Sequence, residues 1–424
     1  MSRFLFVMVE AGGNVPAQIS IARRLAARGH EVHVLSDRAA ESEVLAAGCR
    51  FLPFVHAPHN NMRDREADVV RDWESSFPPA QVRRVGERLM FGPASAYARD
   101  VLETAERLQP HGIAVDCLIF GAIAGAEKSK VPAAVLVHFP VHPPGEGVTP
   151  FGLELHPAKG LLGRLRDRAL LSLTRQKFGF GLLPLNAARL QLGLAPLSDV
   201  FEQYKTLHRR LILTSFEYDF APPNLPDKVC YAGPQLDDPE WARNATVPGL
   251  EAPGPPLVAV SLGSTYQRQE KPLAAIAEAL GRLPVRGFMM LGGVQGLTTA
   301  APPNVIVVRS APHAAVLPHA SAVVCHGGHG TVMKALAHGL PLVVMPIGRD
   351  QKDNGARVEV SGAGVALSPS ASAGRIADAI RRVLREPGFR SGAQRMAGII
   401  ARDVRTDRAV FEMEALAGRP VLVA

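Results

Sequence analysis

The chain has 424 residues, 47% hydrophobic and 20% charged, a globular composition too long for one hydrophobic core, so two or three domains are expected. Its formal charge of +8 sits largely on scattered arginines such as Arg23, Arg24, Arg28, Arg381, Arg382 and Arg385. No Lys/Arg block with interleaved aromatics occurs, so this is a solvated basic surface and not a nucleic-acid-binding one.

Arg3 precedes an apolar run, but 4–9 is too short for a signal peptide and ends at Glu10. No segment approaches the roughly 20 apolar residues of a membrane span, so a cytoplasmic protein is expected. Cys49, Cys117, Cys230 and Cys325 form no Cys-x-x-Cys pair, which argues against a zinc or redox motif and for free thiols in a reducing compartment. The run 4–9 instead reads as a buried parallel strand. A Gly12-Gly13 turn follows, then a helix to Arg28 stopped by Gly29, then a second strand at 30–35, a βαβ unit.

Further strands are expected at 116–120, 133–137 and 211–215, with a Pro/Gly-rich loop at 140–152. The segment 221–256 is rich in Pro, Asp and Gly and reads as a boundary. The βα rhythm then restarts, with strands at 257–261, 287–291, 305–308, 322–325 and 341–345 and helices at 274–283 and 373–384. The expected fold class is α/β, two Rossmann-like doubly wound domains facing across a cleft. Their bounds are 1–220, a linker region 221–256, and 257–400, with a C-terminal helix and tail at 401–424 that can pack back on the first domain. Ligands in such sheets bind at the carboxyl ends of the strands.

The strongest motif is Cys325-His326-Gly327-Gly328-His329-Gly330-Thr331. A buried strand ends in a glycine-rich loop and a helix opens. The glycines let backbone approach an anion, and the helix N-terminus offers free N–H groups and a positive dipole end. Thr331 adds a hydroxyl and His326 a ring N–H, making a diphosphate cradle that needs no metal. No Gly-x-x-x-x-Gly-Lys-Ser/Thr, no Gly-x-Gly-x-x-Gly after the first strand and no Asp-x-Asp occurs. A P-loop, a nicotinamide site and a Mg²⁺ on paired aspartates are therefore not expected. No cofactor is expected either, a nucleotide sugar being a substrate. In Met345-Pro346-Ile347-Gly348-Arg349-Asp350-Gln351, the Asp350 carboxylate and Gln351 amide suit vicinal sugar hydroxyls, and Asn354 lies one helical turn past Asp350.

Together with Pro303-Asn304-Val305, Ala311-Pro312-His313 and Gly339-Leu340-Pro341, these motifs resemble the donor signature of family-one inverting glycosyltransferases of the GT-B fold. Weaker likeness covers nearly the whole chain, including Val258 to Ser264 and Tyr231-Ala232-Gly233-Pro234, and is closest to bacterial members that decorate lipids, macrolides and aromatic natural products. The resemblance implies that His326, Gly328, Gly330 and Thr331 hold the donor phosphates, with Ser264 reaching the same phosphates. It implies that Asp350 and Gln351 hold the sugar and that the stretch from Arg309 to His313 flanks the nucleobase. Many relatives carry Gln at the place of His313. Bacterial likeness favours dTDP as the nucleotide, with UDP close behind.

Inverting transfer needs a base for the acceptor hydroxyl. In the family this is a His after the first strand, oriented by an Asp of the same domain. Asn14 stands at the place of that His, and Gly121-Ala122-Ile123-Ala124, after the expected strand 116–120, holds no carboxylate. Glu10, at the end of the first strand, is the first candidate base. His138 or His142 could supply an imidazole. An acidic or carbon-nucleophilic acceptor would need little help.

Loops around 51–77, with His56, His59, Asn60, Asn61, Arg63, Asp64 and Trp73, together with 143–151 and Phe178, Phe180 and Leu182, suggest a small lipophilic acceptor. The non-enzyme alternative is a catalytically impaired nucleotide-sugar-binding or auxiliary partner protein. The rival enzyme class is an epimerase or phosphorylase that shares the two-domain cleft; a phosphorylase would want a cofactor lysine and a longer chain, neither of which is visible.

Overall fold

The computed structural model describes all residues except 63–65, 76, 141–151, 154, 223, 244–246, 248, 252, 293, 295 and 419–424. The first sheet holds β1 (Arg3–Val7), β2 (Glu31–Ser36), β3 (Arg50–Pro53), β4 (Gly112–Asp116), β5 (Ala133–Val137), β6 (Arg209–Ile212) and β7 (Val229–Tyr231). All are parallel, in the order β3-β2-β1-β4-β5-β6-β7. The second holds β8 (Leu257–Ser261), β9 (Arg286–Met290), β10 (Val305–Val308), β11 (Ala322–Cys325), β12 (Leu342–Val344) and β13 (Gly364–Ala366), also parallel, in the order β10-β9-β8-β11-β12-β13. The central strands carry continuous apolar runs because helices cover both faces, as Phe4 to Val7 and Val258 to Val260, all 0% exposed, demonstrate.

The strand expected at 116–120 lies earlier. Phe4 pairs with Gly112 and Val7 with Val115, so β4 ends at Asp116. The apolar residues Cys117, Ile119 and Phe120 are buried but leave the sheet: Asp116 Oδ1 accepts the Leu118 N–H at 2.8 Å, and a helix runs over Phe120–Ser129. Residues 120–126 of that helix are all buried, so no polar position breaks the apolar pattern there. A Cβ on Gly121 would sit 2.1 Å from the Ala94 carbonyl, so it packs backbone to backbone on the helix Ala94–Leu108.

Within the region 221–256, β7 pairs with β6 and completes the first sheet. At the far end of the chain, the helix Arg408–Leu416 places Val410 and Met413 in the core beside Phe4 and Ala22, and Arg28 grips Glu414 through two bonds of 2.9 Å. The chain therefore crosses from the second sheet back to the first. In both sheets the strand order reverses beside the first strand, between β1 and β4 and between β8 and β11. Open α/β sheets bind ligands at this switch point.

Candidate active site

A cleft of about 720 Å³ runs between the carboxyl ends of the two sheets. Its second-sheet wall is the switch point between β8 and β11. Ser264, after β8, and His326, Gly328, Gly330 and Thr331, after β11, all line it. Gly328 precedes the helix His329–Ala337, so that helix aims its free N–H groups into the cleft. The His326 ring lies between two glycines. A Cβ on Gly328 would come 2.4 Å from its Nε2 and one on Gly263 3.0 Å, and Gly263 holds φ +97°, which suits glycine alone. Nδ1 of His326 faces the Ser261 carbonyl at 3.4 Å. Burial lowers the imidazole to about 4, so it is neutral at pH 7.

His313 also lines the cleft. Its ring contacts Ser261 Oγ at 3.3 Å and Asp238 Oδ1 at 3.4 Å, and Lys334 reaches the same Asp238 oxygen at 2.7 Å. Burial would raise the Asp238 carboxyl, but the His313 bond and the Lys334 charge outweigh it and hold it below the usual range. This Asp238–His313–Lys334 group was not anticipated from sequence. Asp238 lies in the boundary region and meets His313 and Lys334 only in the fold. Arg309 is exposed and does not line the cleft among the described residues, whereas Ser310 and Ala311 do.

Asp350 and Gln351 sit where the β12 loop enters the helix Gln351–Val360. Asp350 lines the cleft with one carboxylate oxygen taken by Asn354 Nδ2 at 3.0 Å, and burial raises its carboxyl. Asn354 is fully buried. It also accepts from Tyr218 Oη at 3.0 Å and contacts His329 Nδ1 at 3.2 Å, so it braces Asp350 from behind. Gln351 spends its amide on the loop itself: Oε1 accepts the Ile347 and Gly348 N–H groups and Nε2 donates to Gln267. It lines the cleft but must exchange Gln267 to reach a ligand.

Arg349, quoted in the motif but given no role there, spans the cleft with φ +57°. It donates to Asp72 Oδ2 at 3.0 Å, to the Ala11 carbonyl at 3.4 Å and to Thr265 Oγ1 at 3.2 Å. Trp73 meets Tyr266 edge to face at 5.4 Å beside it. The loops also touch at Gly12, φ +95°, where a Cβ would lie 2.8 Å from Thr265 Cγ2.

The first-sheet wall is the switch point between β1 and β4. Asn14 is 2% exposed and fully committed: Nδ2 donates to the Val9 carbonyl at 2.7 Å and to Asp116 Oδ2 at 2.8 Å, and Oδ1 accepts the Ala11 N–H. A carboxylate does meet Asn14, supplied not by 121–124 but by Asp116, 0% exposed at the end of β4. Its Oδ2 also accepts from Gln18, and His138 Nδ1 stands 3.7 Å away. The shifted end of β4 hid this residue. Glu10 lines the cleft, but its Oε1 accepts the Gly12 N–H at 2.9 Å within its own loop. His142 lies outside the described residues, as do Arg63, Asp64 and 143–151.

Beyond His138 the cleft becomes apolar, lined by Val85, Leu89, Met90, Phe139, Phe178 and Tyr204. Asn60 and Trp73 line it too. His56 instead pairs with Glu103 at 3.0 Å, and His59 with the Ala57 carbonyl.

Residues 195–417 match the model of the UDP-glucoronosyl and UDP-glucosyl transferase family. Over 420 residues the chain is 31% identical to 4'-demethylrebeccamycin synthase of Lentzea aerocolonigenes, covering 96% of this chain and 97% of that protein. It is 28% identical to demethyllactenocin mycarosyltransferase of Streptomyces fradiae, covering 95% and 84%. Among solved structures, the glycotransferase of kitacinnamycin superposes with TM-score 0.75 at 19% identity, over 98% of this chain and 99% of that one. The glycosyltransferase VinC in complex with dTDP gives 0.65 at 19%, over 99% and 100%. These likenesses establish two facing Rossmann-like domains of the GT-B kind. The chain belongs to the UDP-glucoronosyl and UDP-glucosyl transferase family and is a glycosyltransferase.

Proposed function

We propose that this enzyme transfers a sugar, with inversion, from a dTDP- or UDP-sugar to a small lipophilic natural product, without a metal or other cofactor. The observation that carries the reading is the composition of one cleft. Main-chain donors, His326, Thr331, Ser264 and Asp350 line one wall, and an apolar chamber opens from the other. The diphosphate belongs at the N-terminus of the helix His329–Ala337, where developing negative charge meets fixed dipoles as the glycosidic bond breaks. Asp350 belongs on the sugar hydroxyls, and Ser310, Ala311 and His313 beside the base. Inversion follows from in-line attack by an acceptor seated in the opposite wall. Named relatives that make or modify natural products support the acceptor class, and the dTDP complex of VinC supports dTDP. No helix among the described residues is long and apolar enough to cross a membrane. A cytoplasmic location is part of the proposal.

Asn14 at the usual base position favours a second reading, a nucleotide-sugar-binding partner without turnover. A thermal-shift panel with dTDP, UDP, GDP, ADP and NAD⁺ tests the donor site. A bound ligand at 100 times its dissociation constant adds about 2.7 kcal/mol. The expected result is a rise with dTDP or UDP alone. A rise with NAD⁺ only, or with none, overturns the reading. Release of nucleoside diphosphate in the presence of acceptor separates the enzyme from the partner protein.

A further inference from the structure

We propose that His138 is the base that accepts the acceptor's proton, with Asp116 and Asn14 as its positioning residues; this rests on the glycosyltransferase reading above. In this chain the imidazole follows β5, and the carboxylate it faces ends β4.

Four observations carry it. His138 follows β5 and lines the cleft with its side chain only 10% exposed. Its Nδ1 faces Asp116 Oδ2 at 3.7 Å, and among the described residues nothing bonds its Nε2. Asp116 is wholly buried, and its hydrogen-bond donors are neutral: the amides of Asn14 and Gln18 and the Leu118 N–H. A protonated His138 is the one cation that pairs with it among the described residues, so a proton arriving on Nε2 is stabilised by a carboxylate already in place. His329 and Asp350 line the same cleft as His138, so the ring stands in the cavity that contains the sugar site.

Asn14 cannot take this role, since both its amide hydrogens and its oxygen are spent. Glu10 is bonded to its own loop. Cys117 Sγ lies 3.8 Å from Nδ1, and Asp116, Cys117 and His138 together could suggest a metal site. Three N–H donors already occupy the Asp116 oxygens, however, and burial keeps the Cys117 thiol protonated. That donor set fits a proton relay better than a cation.

The step balances. The acceptor oxygen forms a bond to the anomeric carbon as the bond from that carbon to the diphosphate oxygen breaks. The electron pair leaves with the nucleoside diphosphate, and the acceptor proton passes to His138 Nε2.

The test uses dTDP-glucose and UDP-glucose as donors with benzyl alcohol, 4-methylumbelliferone and water as acceptors, reading nucleoside diphosphate release. His138→Ala should lower kcat at least about 10²-fold with the alcohol and less with the acidic phenol, leaving dTDP and UDP affinity within about twofold. Asp116→Asn should lower kcat without raising KM. Glu10→Gln should lose far less than His138→Ala. Independently of any acceptor, ¹⁵N spectra of labelled histidine should show His138 protonated on Nδ1 and bare on Nε2, and Asp116→Asn should disturb that tautomer. An Nε2–H tautomer in the native protein, near-native turnover of His138→Ala, or a greater loss in Glu10→Gln overturns the proposal. Absence of dTDP and UDP binding in the native protein instead defeats the glycosyltransferase reading, and the tautomer result stands apart from it.

Discussion

At the switch point of the second sheet the ligand surface is mostly main chain: a helix N-terminus, glycines pressed against one imidazole, and a loop tied by Gln351. At the switch point of the first sheet it is side chain: a buried carboxylate, an amide wedge, an imidazole and an apolar chamber. On the proposed function the contrast follows from two tasks. A diphosphate is the same in every donor and can be held by fixed dipoles, whose geometry permits few residues. An acceptor is particular, and its proton needs a titratable group, which any strand end reaching the same point can supply.

The largest effect that sharpens this contrast is acid sensitivity of the donor half. His326 and His329 are each held to about 4, chiefly by burial. Unfolded, both bind protons near pH 6.5, so the unfolded state takes up more protons and stability falls as pH drops from about 6.5 towards 4. Each contributes on the order of 3 kcal/mol to that loss, and urea melts at pH 7 and pH 4.5 would show it. A flat profile through that window would mean that these rings are not buried neutral. A smaller effect probes where the halves meet. Gly12→Ala adds a Cβ at φ +95° and 2.8 Å from Thr265. It should lower kcat about tenfold, or about 1.4 kcal/mol, while dTDP and UDP affinity, read by titration, changes little. An equal loss in both would place the contact inside the donor site.

The same contrast explains what the sequence made legible. Strand 322–325 and the His326-to-Thr331 loop stand where the pattern placed them, because glycine positions and helix starts are local signals. Asp116 escaped because the buried turn 117–120 is as apolar as a strand, so the end of β4 was read too late. Its partnership with Asn14 and Gln18 spans about a hundred residues, and no spacing rule reports such a contact. Gln351 carries the residue type that sugar binding needs, yet the fold spends its amide on the loop, which only the hydrogen bonds reveal. Arg349 and Asp72 lie 277 residues apart and meet only in the fold.

The most direct test of the account is a calorimetric titration of dTDP and UDP into the native protein, His326→Ala and Asp116→Asn. The account predicts binding to the native protein, a loss of at least about tenfold in His326→Ala, whose ring packs against Gly263 and Gly328 and shapes the cradle, and no significant loss in Asp116→Asn. Equal affinity in His326→Ala, or an equal loss in Asp116→Asn, would contradict the division of the cleft into a donor wall and an acceptor wall.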